Sequence, residues 1–423
     1  MQSVDSYLSE IIAAIAPLPP AELSLTDAEG AVLAADVTAA WPLPGFDNSA
    51  MDGYAVLAAD VATASPDAPV TLPVDGEVAA GDSTARTLTA GRCIKIMTGA
   101  LLPVGADAVI PVEWTDADVS QAAGSNDSQA TPGPADRPVA GTVRIYQSAE
   151  AGHAIRRTGD DASPGDLLLP AGAYLGPAQI GILAAAGHGA VQARRRPRVT
   201  VISTGNELAE PGQPLTPGRI WDSNSYMLAA AARQAGCDTT RHPTLRDDPE
   251  TVLAAIERAA ADADLLITSG GVSMGGEHDV VKAALTRLGS VTFRKVAMQP
   301  GMPQGFGLLG RSATPILTLP GNPVSAFVSF RIFVTPAIRV LQDLPAQREA
   351  PRQARLSEPV RSPEGRRSFM RGTLDRRAGV VTPLTGQGSH QIASLAKANA
   401  LIVVPEAATQ LAAGELVDVL ELP

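Results

Sequence analysis

The chain has 423 residues, of which 45% are hydrophobic but only 4% are aromatic, and its formal net charge is −11. This length exceeds what one hydrophobic core fills and predicts two to four domains, whose interiors must be built mainly from Ala, Val, Leu and Ile. The negative charge disfavours nonspecific nucleic-acid binding. The basic run at residues 194–196 has no base-stacking aromatic residues beside it and is interpreted as a solvated linker.

The cysteine content and the hydropathy of the sequence indicate the cellular compartment in which the protein is expected. Cys93 and Cys237 provide neither a disulfide framework nor metal-ligand spacing, so each is predicted to be a small apolar core residue. The first ten residues contain no basic segment, and no uninterrupted apolar run approaches the roughly 20 residues of a membrane span. We therefore expect the protein to be free in a reducing cytoplasm.

The N-terminal half begins with a helix and continues with strands. Apolar residues at helical spacing before Pro17 predict an amphipathic helix over residues 1–16; they are Leu8, Ile11, Ile12 and Ile15. From 43 to 138 the chain contains short β-prone runs between Gly and Pro, which predicts a β-rich domain. Within it, residues 117–138 are rich in small and polar residues and are expected to form a mobile loop. Residues 143–169 are expected to return to the first domain.

Between residue 198 and about 340, short apolar runs alternate with helical patterns. Residues 265–267 are predicted to form a buried strand that opens into Gly270 and Gly271, where the backbone can approach a ligand and its N–H groups can hold an anion. Asp279 is positioned to cap an apolar helix over 280–288. Alone, this segment is best explained as an ordinary glycine loop between a strand and a helix.

Neighbouring segments repeat the order of strand, polar loop and helix start. The strand Arg198–Ser203 runs into Glu207, and Ile220–Trp221 runs into Asp222 and a capping run before a helix over 225–235. Because such alternation is typical of a mostly parallel sheet covered on both faces, both acids are expected at the carboxyl ends of its strands, where ligands bind.

A third segment of this kind follows the apolar run 316–319. Pro320 leads into Asn322, which is predicted to cap a helix over 324–334 with Pro323 at its first position. Pro336 is expected to end or kink that helix. Beyond residue 340, short alternating runs indicate a final all-β domain; they are 367–374, 379–383, 400–404 and 416–420.

Six ordered segments together resemble the molybdopterin molybdenumtransferases, the molybdenum insertases of the MoeA and gephyrin E-domain family. The segments are 44–56, 97–100, 156–161, 203–208, 268–279 and 319–326. The resemblance implies insertion of molybdate into adenylated molybdopterin, release of AMP, a requirement for Mg²⁺, and a homodimer whose active site is shared between the subunits.

The resemblance also implies a multidomain fold of α/β and β type. We expect an elongated N-terminal domain (1–42 plus 141–175), an inserted β-rich domain (43–140), a three-layer αβα molybdopterin-binding domain similar to MogA with a mostly parallel sheet (176–342), and a C-terminal β-barrel-like domain (343–423).

Site residues are transferred by resemblance to the matching positions of this chain. Molybdate and the nucleotide-linked pterin are anions, so the site needs cationic and N–H donors together with carboxylates for a hard divalent cation. The catalytic set is expected to be Asp52, Glu207, Asp247, Asp279 and Lys295, with Glu207 and Asp279 as metal ligands. The substrate-binding set is Thr98, Arg156, Asp161, Asp222, Ser269, Gly270, Gly271, Pro320, Asn322, Pro323, Arg371 and Ser389.

Several of these positions also have a purely structural interpretation. Asp248 as a helix cap followed by Pro249 would explain the surroundings of Asp247. A surface ion pair with a neighbouring acid would explain Arg156. A tight turn would explain part of residues 47–54 but would not require the whole string. His278 is interpreted as a solvent-facing or capping residue rather than a metal ligand.

One segment departs from the family pattern. The family commonly has a run of the type Lys-x-x-x-Lys-Pro-Gly-Lys, whereas this chain keeps Lys295 but has Gln299 and Met302 in place of two lysines. Gln299 can donate hydrogen bonds to an oxyanion, but it lacks the charge assistance that makes such bonds about twice as strong. Our hypothesis is that Lys295 and an arginine, Arg156 being the first candidate, supply the missing charge.

Two other classes of function remain open on sequence grounds. One is a molybdopterin adenylyltransferase, which the αβα region also resembles, although those enzymes consist essentially of that one domain. The other is a nonenzymatic scaffold or a paralogue of the insertase. Tungstate remains an alternative to molybdate as the inserted oxyanion.

Overall fold

A computed structural model describes residues 1–117, 141–271, 280–288, 291–347 and 351–422. The predicted mobile loop at 117–138, apart from Ala117, lies outside the described residues, as do His278 and Asp279. The chain divides into two compact units. The large unit comprises Met1–Ala35, Ala171–Ile180 and Gly189–Pro423, and the small unit comprises Asp36–Pro170 and Gly181–His188.

The helical elements of the described residues are α1 (Val4–Ala14), α2 (Ala58–Val61), α3 (Pro177–Ala185), α4 (Asn224–Gln234), α5 (Pro249–Asp262), α6 (Val280–Leu288), α7 (Pro323–Ser329), α8 (Thr335–Leu341) and α9 (Ile392–Leu395), with a 3₁₀ turn at Val112–Trp114 and a π-helical turn at Phe330–Val334.

The strands are β1 (Ala21–Ser24), β2 (Val32–Leu33), β3 (Val37–Thr38), β4 (Asn48–Ser49), β5 (Gly53–Val56), β6 (Val70–Val78), β7 (Cys93–Ile96), β8 (Ala108–Pro111), β9 (Thr142–Ile145), β10 (Ile155–Arg156), β11 (Leu167–Leu169), β12 (Ala190–Arg194), β13 (Arg198–Ser203), β14 (Leu208–Ala209), β15 (Ile220–Trp221), β16 (Asp238–Arg241), β17 (Leu265–Ser269), β18 (Val291–Lys295), β19 (Met298–Gln299), β20 (Pro303–Leu309), β21 (Thr314–Leu319), β22 (Arg352–Leu356), β23 (Val360–Arg361), β24 (Arg367–Asp375), β25 (Val380–Pro383), β26 (Ala400–Val404), β27 (Gln410–Leu411) and β28 (Leu416–Glu421).

The large unit contains the predicted αβα arrangement. Its six-stranded sheet has the order β16-β13-β17-β21-β20-β18, in which the first four strands are parallel and the last two pairings are antiparallel. Leu265, Leu266 and Ile267 are all fully buried, because α4 and α7 contribute to the core on one face while α5 and α6 contribute to the core on the other. The prediction of a buried central strand at this position is confirmed.

The N-terminal helix lies in the large unit and is shorter than predicted. Ser3 caps α1 by accepting a hydrogen bond from the Ser6 N–H, and the helix ends at Ala14. Its buried residues are Val4, Tyr7 and Ile11, and the Tyr7 ring meets Phe333 edge-on with 5.0 Å between centroids. The buried face is thus rotated from the predicted stripe, because Leu8 and Ile12 are only partly buried.

Pro336 does not end its helix as the sequence predicted. The helical run continues from Pro323 to Leu341 through the π-helical turn at Phe330–Val334. Pro336 lies in the first turn of α8, where the π turn accommodates a residue that has no N–H to donate. The run from Pro323 to Leu341 contains Arg331 and Arg339, so it is not an uninterrupted apolar segment. This 19-residue helix has a mean hydropathy of 1.6, but 67% of it is buried inside the protein, as in a core helix.

The C-terminal part of the large unit is a closed barrel. The strand order β24-β25-β22-β28-β26 closes because β24 also pairs with β26, which leaves no free edge in the ring. Side chains such as Leu374, Val381 and Ile402 fill its interior. The predicted C-terminal β-barrel-like domain is confirmed, and β19 adds to it alongside β24 by pairing Gln299 with Ser368.

The small unit contains the predicted β-rich region. Its main sheet has the order β8-β5-β7-β6-β9, with apolar clusters on the two faces. The predicted domain boundary at residue 140 falls within this sheet, because β9 pairs with β6 from Val70 to Pro73. The sheet therefore extends to Ile145, and the other predicted domain bounds stay predictions.

Both cysteines are fully buried and free, with pKa values raised to about 12 by burial, as expected of apolar core residues.

Candidate active site

The carboxyl ends of β13, β17 and β21 bring three loops of the large unit into contact. Gly270 has a φ of +97°, and a Cβ atom there would lie 2.8 Å from the Thr204 carbonyl oxygen. Gly271 has a φ of +64°, and its Cβ would lie 2.8 Å from the Val281 side chain. Both positions therefore require glycine, because any side chain would collide with the adjacent loop or helix. The Gly270 N–H donates to the Leu319 carbonyl, so it is already used and does not face a ligand.

Asn224 ties two of these loops together, which the sequence analysis did not anticipate. Its Nδ2 donates to Ser269 Oγ at 2.8 Å and to the Gly321 carbonyl oxygen at 2.6 Å. Ser269 Oγ in turn lies 3.3 Å from the Pro320 carbonyl oxygen. The residue is visible in the sequence as part of a capping run, but that interpretation assigned it to the helix alone.

The start of α7 is joined to a loop from the barrel. Asn322 occupies the cap position, yet its side chain donates to Ser389 Oγ at 3.0 Å instead of capping the helix. The Ser389 carbonyl accepts the Val324 N–H, also at 3.0 Å. Three predicted substrate-binding residues, Asn322, Pro323 and Ser389, therefore lie together, although they come from distant parts of the chain.

Arg371 is fully buried, with 0% of its surface exposed. Its guanidinium donates to Ser394 Oγ and to the carbonyl oxygens of Gly386 and Gly388, and burial lowers its pKa. These bonds fix the loop that carries Ser389. Nη1 is buried without a partner among the described residues, and because Arg371 has no exposed surface its predicted anion contact stays a prediction.

Glu207 and Asp247 lie at the end of β13. The Asn206 N–H donates to Asp247 Oδ2 at 3.1 Å, and the Asn206 side chain accepts from the Asp247 N–H at 3.2 Å. Glu207 is exposed, and its carboxylate folds over Gly205, where a Cβ would lie 2.6 Å from Oε2. Asp248 caps α5 as predicted, but this leaves Asp247 free to serve the loop beside Glu207.

Asp222 is placed differently from its predicted role. It is 1% exposed, and its carboxylate accepts hydrogen bonds from the Ser225 N–H, the Ser225 hydroxyl and the Thr244 hydroxyl. These contacts occupy both oxygens inside the protein. The structure therefore supports the capping role of Asp222 and leaves no carboxylate oxygen for substrate.

A second network missed from the sequence is centred on Glu210. Arg241 donates to both of its carboxylate oxygens at 3.0 Å, and Tyr226 and Thr244 add further bonds. The bonds from Arg241 are the main reason why the pKa of Glu210 falls to about 2. Since Arg241 also contacts Ser225, this network fixes the start of α4 and so positions Asn224.

Lys295 lies at the same edge of the sheet. β18 is antiparallel to β20, which is antiparallel to β21, so β18 runs in the direction of β21 and ends at its carboxyl edge. Lys295 is exposed and forms no ion pair within the part of the chain that the structure describes. Its charge is therefore available to a ligand.

The described acids and hydroxyls offer a divalent cation few converging ligands. Among the described residues no group of three or more His, Cys, Asp or Glu side chains converges on one point. Glu207 and the unpartnered, buried Thr204 hydroxyl are hard oxygen donors at the end of β13. Mg²⁺ is commonly held by one or two carboxylates together with substrate phosphates and water, and these residues fit that pattern. The other predicted ligand, Asp279, lies outside the described residues.

In the small unit, Asp52 and Thr98 are in direct contact. Thr98 donates to Asp52 Oδ1 from its N–H at 2.7 Å and from its hydroxyl at 2.9 Å. These bonds lower the pKa of Asp52, so its exposed carboxylate stays ionised. The other carboxylate oxygen makes no hydrogen bond to a described residue.

The neighbouring acid Asp47 serves a structural purpose that the sequence analysis did not assign. It accepts hydrogen bonds from Arg157 at 2.7 Å and from the N–H and hydroxyl of Thr158 at 2.8 Å, and these bonds lower its pKa. β4 pairs with β10 so that Asn48 lies opposite Arg156. Residues 47–54 therefore act as more than a tight turn, because they join the Asp52 corner to the Arg156 segment.

Arg156 and Asp161 are both exposed. Within the described parts of the chain Arg156 forms no ion pair, and Asp160 is instead bound by the Arg157 N–H at 2.6 Å. The surface ion pair considered from the sequence is thus not formed. Asp161 lines an open cavity of about 520 Å³ within the small unit, next to Asp166 and Ile182.

Comparison with known proteins covers nearly the whole chain. Residues 2–187 match the MoeA N-terminal region (domain I and II), residues 200–340 match a probable molybdopterin binding domain, and residues 353–422 match the MoeA C-terminal region (domain IV). The chain is 44% identical to molybdopterin molybdenumtransferase 2 of Mycobacterium tuberculosis strain H37Rv, with 100% of both chains covered. It is 36% identical to molybdopterin molybdenumtransferase 1 of the same strain, covering 99% of this chain and 98% of the relative.

The fold agrees with these relatives. A solved structure described as the molybdopterin biosynthesis moea protein from Pyrococcus horikosii matches with a TM-score of 0.72 and 32% identity, covering 99% of this chain and 98% of that one. The chain therefore belongs to the MoeA family of molybdopterin molybdenumtransferases.

Proposed function

We propose that this protein inserts molybdate into adenylated molybdopterin, releasing AMP and forming the molybdenum cofactor. The observation that carries the proposal is the full-length identity of 44% to a protein named as a molybdopterin molybdenumtransferase. The site supports it, because exposed Lys295, the Ser389 loop held by Arg371, and the acids Glu207 and Asp247 provide the donors and carboxylates that two anionic substrates require.

The roles of the individual groups follow from their surroundings. Lys295 is suited to hold a phosphate or oxyanion because no described acid neutralises it. Asn224 keeps the loops after β17 and β21 at a fixed spacing, so that the pterin nucleotide meets a preformed surface. Thr98 keeps the Asp52 carboxylate oriented and ionised.

Magnesium belongs to the proposal as the expected cofactor. Glu207, with Asp279, would hold it, assisted by Thr204 and by phosphate oxygens of the substrate. An ion held there would supply positive charge to neutralise the substrate phosphate. The protein's own groups then supply only orientation and the remaining positive charge.

The alternatives are less well supported. An adenylyltransferase would need little beyond the αβα region, whereas this chain matches the MoeA regions on both sides of it. A scaffold would not require an exposed Lys295 or an Asp52 held ionised by Thr98. We place the reaction in the cytoplasm, and the one helix of membrane-spanning length among the described residues is packed in the core.

Anaerobic turnover of adenylated molybdopterin with Mg²⁺, with and without molybdate, tests the function. We expect AMP release that depends on both molybdate and Mg²⁺, together with cofactor that reconstitutes a molybdoenzyme. A parallel series with tungstate tests oxyanion preference. Pyrophosphate release from ATP and molybdopterin would instead identify an adenylyltransferase, and nucleotide binding without turnover would support a scaffold.

The proposed homodimer with a shared site, which rests on the family resemblance, predicts complementation between inactive variants. Asp52→Asn and Glu207→Gln are each expected to lower turnover by about a hundredfold or more, since each removes a charge from the site. Unfolding and refolding an equal mixture should restore about a quarter of wild-type activity, because half of the dimers would then hold one intact site. Asp67→Asn, an exposed loop variant, is the control.

No recovery in the mixture, or a monomer by light scattering at the assay concentration, would contradict the shared site. Full activity of both single variants would contradict the assignment of Asp52 and Glu207. These two results are separable, because the first concerns assembly and the second concerns chemistry.

A further inference from the structure

A cavity of about 280 Å³ lies in the large unit, between β19 and the barrel. Gln299 and Pro300 form one side. The remaining lining comes from β23 and the segment after it, from β24, and from the end of β25 and the segment that follows. Most of these residues are apolar or are proline. Arg361 is the one charged residue among the described residues that line it.

Arg361 is held in place through its backbone. β23 pairs with β27 so that Arg361 lies opposite Gln410, and the next residue, Ser362, shares a hydroxyl hydrogen bond of 2.7 Å with Ser368. The guanidinium is exposed and forms no ion pair within the described residues. Arg361 therefore adds to the cavity lining a positive charge that no described acid neutralises.

The other polar groups of the cavity narrow down which donors are free. The Gln387 amide is occupied, since its nitrogen donates to the Arg371 and Leu384 carbonyl oxygens and its oxygen accepts from the Arg371 N–H. The Ser368 hydroxyl is paired with Ser362. Gln299 forms backbone pairs with β24, but its exposed side chain makes no hydrogen bond to a described residue. Gln299 and Arg361 are thus the donors left for a ligand.

We propose that this cavity binds the tetrahedral oxyanion substrate, and that Arg361 supplies the positive charge that Gln299 and Met302 do not. This inference rests on the proposed function and replaces the earlier hypothesis that Arg156 provides the compensating charge. A guanidinium presents a planar fork that binds two oxygens of an oxyanion at once, and the Gln299 amide adds a neutral donor beside it. Arg361 is then a specificity-determining residue for the metal oxyanion.

The test compares Arg361→Gln with wild type in anaerobic turnover, measuring the KM for molybdate and the KM for adenylated molybdopterin at two ionic strengths. We expect the KM for molybdate to rise about tenfold and to lose much of its salt dependence, because the removed bond is charge-assisted. The KM for the pterin nucleotide should change by less than about twofold. Arg377→Gln, an exposed arginine in the turn after β24, is the matched control and should leave both values unchanged.

A second variant tests the role of the charge, and a binding measurement tests the inference independently of turnover. Adding Gln299→Lys to Arg361→Gln should restore the KM for molybdate, since it returns one cation to the same cavity. Equilibrium dialysis of the apoprotein with molybdate, and separately with AMP, should show weaker molybdate binding and unchanged AMP binding in Arg361→Gln.

Two other outcomes would contradict the inference, and a third would contradict only the proposed function. Weaker AMP binding with unchanged molybdate binding would assign Arg361 to the nucleotide phosphate. Unchanged values for both ligands would remove Arg361 from the site. If wild type binds molybdate through Arg361 in dialysis but never releases AMP, the inference stands and the proposed function fails.

Discussion

Replacing Gly53 with alanine is expected to disrupt the main sheet of the small unit. Gly53 begins β5, which lies between β7 and β8, and it pairs with both Ile96 and Pro111. A Cβ atom at this position would lie 1.9 Å from the Ile110 carbonyl oxygen and 2.9 Å from its carbon. These atoms belong to the backbone of a paired strand, so no side-chain rotation can relieve the overlap.

We expect Gly53→Ala to lower the free energy of unfolding of the small unit by about 3 kcal/mol or more, at the upper end for overpacked interiors. Hydrogen exchange should show lost protection in β5, β7 and β8 while the αβα sheet of the large unit stays protected. Gly181→Ala, in helix α3, is the control. No atom lies within 4 Å of its added Cβ, so its stability should be unchanged or slightly higher. Equal denaturation midpoints for Gly53→Ala and wild type would show that the strands can separate at this point without cost.

This glycine also shows how far sequence patterns reach. A tight turn would not require the whole string 47–54, so the sequence indicates that these residues do more than form a turn. The physical reasons emerge only from the fold: Asp47 binds Arg157 and Thr158, Asp52 binds Thr98, and Gly53 allows two strands to approach. Arg157, Thr158 and Thr98 each lie at least 40 residues in sequence from the acid that they bind. Local periodicity contains no information about such distant partners.

The αβα region was more accessible to prediction, because its signals are local. A run such as 265–267, apolar on both faces and followed by glycines, specifies a buried strand and a close loop without reference to distant residues. Side-chain contacts were predicted less well where one residue had two possible hydrogen-bond partners. Asn224 and Asn322 were assigned to helix caps, whereas their side chains bind Ser269 and Ser389 across the site.

Arg371 and Pro336 show two further limits. Arginine is rarely fully buried, so nothing in the sequence marks Arg371 as the side chain that fixes the Gly386–Gly388 carbonyls from inside the barrel. A proline in an apolar helix ordinarily predicts a kink or an end. Here the π turn before α8 removes the conflict, and such a turn has no sequence signature of its own.

Replacing Gly270 with alanine is expected to abolish turnover while leaving the protein folded. Its φ of +97° is unfavourable for alanine, and the added Cβ would lie 2.8 Å from the Thr204 carbonyl oxygen. The loop after β17 must then move away from the loop after β13, which carries Glu207. A displacement of this kind changes the spacing of the groups that we propose bind the two substrates, and misplacement by about 1 Å costs on the order of a hundredfold in rate.

Gly218→Ala separates the two causes. Gly218 also has a positive φ, +82°, but no atom lies within 4 Å of its added Cβ, so this variant carries the backbone strain without the collision. Both variants should lose roughly 1 kcal/mol of folding stability from strain, measured by chemical denaturation, with a further loss of about 1–3 kcal/mol in Gly270→Ala from overpacking. Only Gly270→Ala should lose AMP release by about a hundredfold or more. If both variants lost turnover equally, strain in the unit would explain the effect, and the close approach of Gly270 to Thr204 would not be what holds the site together.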